Sequence, residues 1–194
     1  MNNKLFLIII PFIIFGCTLA KVKVEVLSER TTLENQVLGT YKSLDREMLL
    51  VASVRGVDPS GNIIYPPKHS QEHKDVIAAM QLQSFHADDI QNFKRLGWAG
   101  ENRNGLLSVF EMDRKNIPPE LKEFAERYKK EEFDSVISQV NKSREIIMLS
   151  VINLNENLTK DDLPKIHRIF GKLNAENAVL GEKIQTEDGK WVTK

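Results

Sequence analysis

The sequence holds a single cysteine. With no second thiol there is no internal disulfide, so packing, hydrogen bonds or a partner must hold the fold. Charge of one sign is missing too: 27 basic residues stand against 27 acidic ones. That balance excludes the basic surplus of a nucleic-acid binder and the acidic tail of a solvating chain. Aromatics are sparse, at 7%. There is no internal repeat and no low-complexity stretch. No G-x-S-x-G elbow occurs, no Walker lysine follows a glycine loop, and no dinucleotide fingerprint is present. What remains is ordinary globular usage, 41% hydrophobic and 28% charged, in a chain sized for one domain, or one domain with an extension.

The one long apolar run lies at the start. Lys4 precedes it, and Leu5 to Phe15 form it, interrupted by Pro11. A membrane span needs about 20 apolar residues; this run has instead the length of a signal h-region. Ile14, Gly16 and Cys17 follow the spacing of a lipobox, which the segment resembles, with Phe15 where a small or aliphatic residue is common. The expectation is a bacterial lipoprotein: residues 1–16 form a signal peptide, cleavage falls between Gly16 and Cys17, and Cys17 carries the lipid. Removing residues 1–16 takes away only Lys4, leaving 26 basic against 27 acidic residues. Thr18, not Asp, follows the cysteine, which favours the outer over the inner membrane under the enterobacterial sorting rule.

Residues 17–30 read as a tether. Within them Val22, Val24 and Val26 alternate with charged residues, a strand pattern or an extended lead. Residues 31–96 form an N-terminal helical region. Thr31 and Glu34 offer a capping box, and Leu33, Val37, Tyr41, Leu44 and Met48 recur at helical spacing over about 32–53. Residues 54–69 carry loop chemistry, with a β-turn at Asp58-Pro59-Ser60-Gly61. A polar helix is expected over 70–96, with Ile77, Met80, Ile90, Phe93 and Leu96 apolar and Gly97 past its end.

From Pro118 to about 154 the apolar positions Leu121, Phe124, Tyr128, Val136, Val140, Ile147, Val151 and Leu154 predict one long helix, or two broken near Lys129–Glu132. The run Leu106–Phe110 is too short to assign as helix or strand. Thr159 and Asp162 cap a further helix that buries Leu163, Ile166, Phe170 and Leu173, with Leu158 and Leu163 as a hydrophobic staple. Asp188-Gly189 signals a two-residue hairpin turn. The expected fold is mainly α: several helices, including a long helix and a helical hairpin, with a small C-terminal β-hairpin.

Three stretches carry a likeness to a known family. GWAGENRNGLL places Gly97, Gly100, Glu101, Gly105 and Leu107 in a G-x-x-G-E…G-x-L pattern. The helix VISQVNKSREII contains N-x-x-R, Asn141 and Arg144, and is followed by a turn and a second helix. GEKIQTEDGKWVTK places Gly181, Glu182, Gly189, Trp191, Val192 and Lys194 in a terminal motif. Residues 97–194 thus resemble the YdbL family, bacterial envelope proteins of largely unassigned function. LENQVLGTYKSLDREMLLVASVRG resembles the front of longer, lipid-anchored relatives. The likeness implies a role in the cell envelope beside a large AsmA-like bridge protein and a small lipoprotein, machinery linked to phospholipid traffic.

Glu101, Arg103, Arg144 and Trp191 are the candidate partner-binding residues. Glu101 belongs either to a docking loop or to a turn that caps a following helix. Arg144 either meets a partner or pairs with a nearby carboxylate. Trp191 either anchors an interface or covers the core. His69 and His73 are four apart on a helix start, but HSQEH lacks the H-E-x-x-H arrangement of zinc enzymes, and no metal is assigned. His86 and His167 are lone histidines without a local partner. No catalytic residue and no cofactor is expected. The expected role is a non-enzymatic accessory of envelope proteins, anchored through Cys17 and facing the periplasm; the alternative is a lipid-binding module.

Overall fold

The computed structural model describes residues 31–53, Ser60 and residues 70–194. The expectations for the signal peptide, for Cys17 and the tether, for His69 and for nearly all of the 54–69 loop lie outside them.

The mainly α reading holds. Among the described residues, six α-helices and four short strands follow in order: α1 (Thr32–Ser53), α2 (Gln71–Phe85), α3 (Ala87–Arg95), β1 (Ala99–Glu101), β2 (Leu107–Val109), α4 (Lys122–Arg127), α5 (Lys130–Asn153), α6 (Leu163–Asn177), β3 (Lys183–Gln185) and β4 (Trp191–Thr193). No described helix is long and apolar enough to cross a membrane.

The helix starts follow their capping chemistry. The Thr31 N–H donates to Glu34 Oε2 at 2.6 Å, and the Glu34 N–H donates to Thr31 Oγ1 at 3.2 Å, satisfying two orphan donors reciprocally. Lys172 on α6 also grips Glu34, at 2.7 Å, so the cap doubles as a tertiary link. Ser70 caps α2 by accepting the His73 N–H. The Thr159–Asp162 box wraps a single 3-10 turn, and α6 starts after it.

The single helix expected over 70–96 is two helices. His86 has φ −93° and ψ 9°, outside the helical well, and α3 restarts at Ala87. The His86 ring is buried, with Nδ1 3.2 Å from Asp89 Oδ2. It therefore has a local partner three residues on, and this bond stands at the head of α3. The end of α3 matches the expectation closely. Gly97 takes φ 69°, its N–H donates to Lys94 O, and the Trp98 N–H donates to Phe93 O. That is a Schellman motif with its usual apolar contact, here Trp98 stacked on Phe93 at 6.2 Å.

The long helical span over 118–154 divides into α4 and α5 at Tyr128–Lys129. α5 is the central beam. Phe133, Val136, Ile137 and Val140 join an aromatic cluster with Phe93 and Trp98. Further along, Ile147 meets Leu44, Val76 and Met80, and Met148, Val151 and Ile152 meet Val37 and Ile166. Leu154, expected on the apolar stripe, is 56% exposed, because the helix has ended there.

The C-terminal hairpin is half of a four-stranded sheet in the order β2-β1-β3-β4, with β1 and β3 parallel. Leu106–Phe110, left open by its length, contributes β2. Both hairpins use one turn. In the first, the Asn102 N–H donates to Leu106 O and the Gly105 N–H to Asn102 O; in the second, the Thr186 N–H donates to Lys190 O and the Gly189 N–H to Thr186 O. Each is a three-residue loop closed by a left-handed glycine, Gly105 at φ 77° and Gly189 at φ 87°. The two-residue turn expected at Asp188-Gly189 is therefore replaced. A type I′ turn needs positive φ at both central residues, and no described non-glycine residue has one.

Gly171 sets the distance between α6 and the first hairpin. A Cβ there would meet Arg103 O at 2.1 Å, whereas one at Gly39 would meet nothing within 4 Å. Gly171→Ala is expected to destabilise the chain by about 2 kcal/mol or more, as overpacking does. Gly39→Ala, in the middle of α1, should stabilise it by about 0.5–1 kcal/mol. Urea denaturation of the two variants checks both signs.

Candidate functional site

The residues singled out in the sequence meet around one buried charge cluster. Glu101 ends β1 and is 3% exposed; it caps no helix, so the turn-cap reading of this residue is replaced. Arg144, halfway along α5, grips it with two nitrogens, Nη1 to Oε2 at 2.6 Å and Nη2 to Oε1 at 3.1 Å. The fork matches the carboxylate plane, which makes this the strong form of ion pair. Nη1 also donates to Gly105 O at 3.1 Å.

Two further charges complete the cluster. Lys94, in the last turn of α3, lies 3.4 Å from Glu101 Oε1 and 3.1 Å from Glu182 Oε2. Glu182, just before β3, is 2% exposed and also accepts the Val179 N–H at 3.1 Å. Asn174 on α6 donates to Glu101 Oε2 and to Gly105 O. Two carboxylates and two cations cancel. Burial, the largest single influence on Glu101, would raise its pKa; Arg144 and Lys94 together outweigh it and hold the carboxyl below its ordinary value. Glu101 is thus ionised at neutral pH and poorly suited to taking up a proton.

Lys94, Glu182 and Asn174 were not singled out as site residues. Lys94 reads as a helix-end cation and Asn174 as a polar position. Glu182 had a signal, its place in the terminal motif, but nothing in sequence spacing brings it to Glu101.

Arg103 and Trp191 stand outside the cluster. The Arg103 N–H donates to Gln185 Oε1 and its Nη1 to Glu187 O, both at 3.3 Å, so it ties the tip of one hairpin to the other. Trp191 is half-buried on the sheet face, edge-on to Phe110 at 4.9 Å. Gly100 lies beneath it: a Cβ there would meet the Trp191 ring at 2.9 Å and Lys183 O at 2.8 Å. His73 Nε2 faces Glu47 at 3.1 Å, and His167 Nδ1 lies 3.0 Å from Asn104 O. Among the described residues no group of three His, Cys, Asp or Glu side chains could hold a metal ion.

Two cavities open beside Arg144. One, of about 380 Å³, lies over the charge cluster, with Gln91, Val140 and Val179 in its wall. The other, of about 340 Å³, lies between α1, α5 and α6. A groove of about 740 Å³ runs between α2 and α5, past Val76, Ala79, Leu82, Ile146 and Leu149.

Removing one member of the cluster leaves an uncompensated buried charge. Glu101→Gln and Arg144→Met should each cost about 3–5 kcal/mol. The double variant restores neutrality and should cost clearly less than the sum. The Glu101 contribution has a sign in pH. Its folded pKa is depressed, so its stabilisation is present above the ordinary carboxylate range and is lost as pH falls through the folded value. Urea midpoints from pH 7 to pH 3 should fall more steeply for the native chain than for the double variant.

No family model, no curated protein and no solved structure matches this chain.

Proposed function

We propose that the chain is a lipid-anchored envelope protein without catalytic activity, an accessory that binds other proteins of the envelope. The observation that carries this reading is the N-terminal pattern, Lys4, the apolar run Leu5–Phe15, then Gly16-Cys17. Several acyl chains on Cys17 anchor stably, whereas one holds weakly. The body then faces the periplasm from the cell membrane or, favoured by Thr18, the outer membrane.

Two further points support it. First, the most buried acidic groups, Glu101 and Glu182, are matched by Arg144 and Lys94. A side chain held this way stabilises a scaffold better than it moves protons. Second, the three stretches that carry the YdbL likeness pack on one another. Asn141 donates to Leu107 O and accepts the Leu107 N–H, Arg144 holds Glu101, and Lys194 Nζ caps the end of α6 at Ala175 O and Glu176 O. The likeness supplies the partner class, an AsmA-like protein and a small lipoprotein, with Glu101, Arg103, Arg144 and Trp191 as the candidate contact region. Of these, Arg103 and the edge of Trp191 reach solvent.

Fatty-acid labelling and membrane fractionation should give label on the native chain and none on Cys17→Ser, with the variant unprocessed or released. Crosslinked membranes should then yield an envelope protein with the native chain. Recovery of none, where control complexes survive, would overturn the partner reading.

The α2–α5 groove favours a second reading, a lipid-binding module in phospholipid traffic. Its apolar lining is what such a module needs. Extraction of the purified chain and mass spectrometry should then show stoichiometric phospholipid; an empty protein rejects this version.

A further inference from the structure

The cavity between α1, α5 and α6 differs in charge from its neighbour. Its apolar wall comes from Leu38, Tyr41, Ile147, Phe170 and Leu173, with the Tyr41 ring edge-on to Phe170 at 6.0 Å. Its polar lining is Lys42, Arg144, the Tyr41 hydroxyl and three carboxamides, and no carboxylate lines it. Across Gln83, Arg144 and Asn177, which line both cavities, Glu101 and Glu182 belong to the other one.

Most of this polar lining is uncommitted. Arg144 is neutralised on its far side by Glu101. Lys42 makes no ion pair among the described residues, and there the Tyr41 hydroxyl and the Gln83 and Asn177 amides take no hydrogen bond. Burial raises the Tyr41 phenol above its ordinary pKa, with Asp45 adding to the shift and Arg144 opposing it. The hydroxyl is therefore a proton donor at neutral pH. A lysine without an ion pair among the described residues and several free donors around an apolar slot match an anion that carries an apolar body, with Asp45 the carboxylate whose charge reaches Tyr41. At about 340 Å³ the slot lies at the low end of small-ligand cavities, about 300–1,000 Å³. It suits one short chain or ring.

We propose that this cavity binds a small organic anion with an apolar body, an alkyl or aryl carboxylate or phosphate. The charge sits beside Lys42 and the Tyr41 hydroxyl, and the body lies against Phe170 and Leu173. The site shares Arg144 with the candidate contact region, but its ligand would rest on Lys42 and Tyr41, outside both that region and the α2–α5 groove, so its failure leaves both readings of function where they were. A free acid and one chain of an anionic lipid share this chemistry.

The test is calorimetric titration of the full chain in phosphatidylcholine nanodiscs, with partition into empty discs subtracted. The probe is octanoate, matched by octanol, which keeps the chain, and acetate, which keeps the charge. Octanoate should bind saturably at one site, with octanol and acetate at least about tenfold weaker. Lys42→Met and Tyr41→Phe should each weaken octanoate about tenfold, as loss of a charge-assisted bond does, while the melting temperature stays put. Lys42 is exposed, and at half-buried Tyr41 Phe keeps the ring contact, so the variants fold. Competition by phosphatidylglycerol in the discs assigns the anion to a lipid, and its absence assigns it to a free acid; both sustain the site. Equal binding of octanol, no saturation, or octanoate affinity unchanged in both variants overturns it.

Discussion

Arg144 sits in the middle of α5, where an ordinary core helix would present an aliphatic side chain. A lone guanidinium largely withdrawn from water is costly, and the surrounding fold is arranged to offset it. β1 must deliver Glu101 to its fork. The Asn102–Leu106 turn must aim the Gly105 carbonyl at it. α3 must end where Lys94 reaches Glu101, and the chain entering β3 must bring Glu182 to Lys94. One charge thus constrains four other segments, from residue 94 to residue 182. Such a cluster is weak evidence for stability, since a well-packed apolar set of similar volume often does as well. What it supplies here is register: a slip of β1 by one residue would turn Glu101 to the other face and strand the arginine.

The same economy of space appears in the backbone. α6 packs on the first hairpin so closely that Gly171 faces the Arg103 carbonyl, and β1 lies so close to β3 and Trp191 that Gly100 has no room for a Cβ. These contacts, with the bonds from Asn141 to Leu107 and from Asn174 to Gly105, turn a two-stranded ribbon, marginal by itself in water, into part of a sheet held by both α5 and α6. The second hairpin is then pinned at its tip by Arg103 and at its end by Lys194. Three-residue strands persist because their neighbours hold them.

How much of this was legible follows from how local each cause is. The α1 cap and the glycine end of α3 rest on chemistry within four residues, and the sequence displays it; the Thr159–Asp162 box is displayed too, but it caps the 3-10 turn ahead of α6. The break at His86 was hidden, because no glycine or proline marks it and the cause is a single backbone angle and a bond to Asp89. The turn type at Gly189 depends on the sign of φ at Asp188, on which the dipeptide is silent. β1 was missed as a strand because its glycine serves long-range packing, and β2 stayed open between helix and strand because it is short. Of the site, Glu101 and Arg144 were visible through their motif, but 43 residues separate them. Lys94 and Glu182 join only through tertiary geometry.

That division bears on where function can sit. Every motif position that the sequence made conspicuous and that is well buried has a structural occupation: Gly100 admits a ring, Glu101 neutralises Arg144, Gly105 turns a hairpin, Glu182 holds Lys94. A residue so committed cannot change partner without leaving a buried charge or a clash. The free chemistry lies instead at unremarkable positions, Lys42, Tyr41, Gln83 and Asn177, around the mouths of the cavities, and at exposed apolar residues such as Phe85 and Leu180, 79% and 87% exposed. The motif builds the scaffold, and the groups it leaves unbonded are the ones open to a ligand. For a protein of this kind the informative substitutions are those that alter the groups facing the cavities and leave the quartet intact.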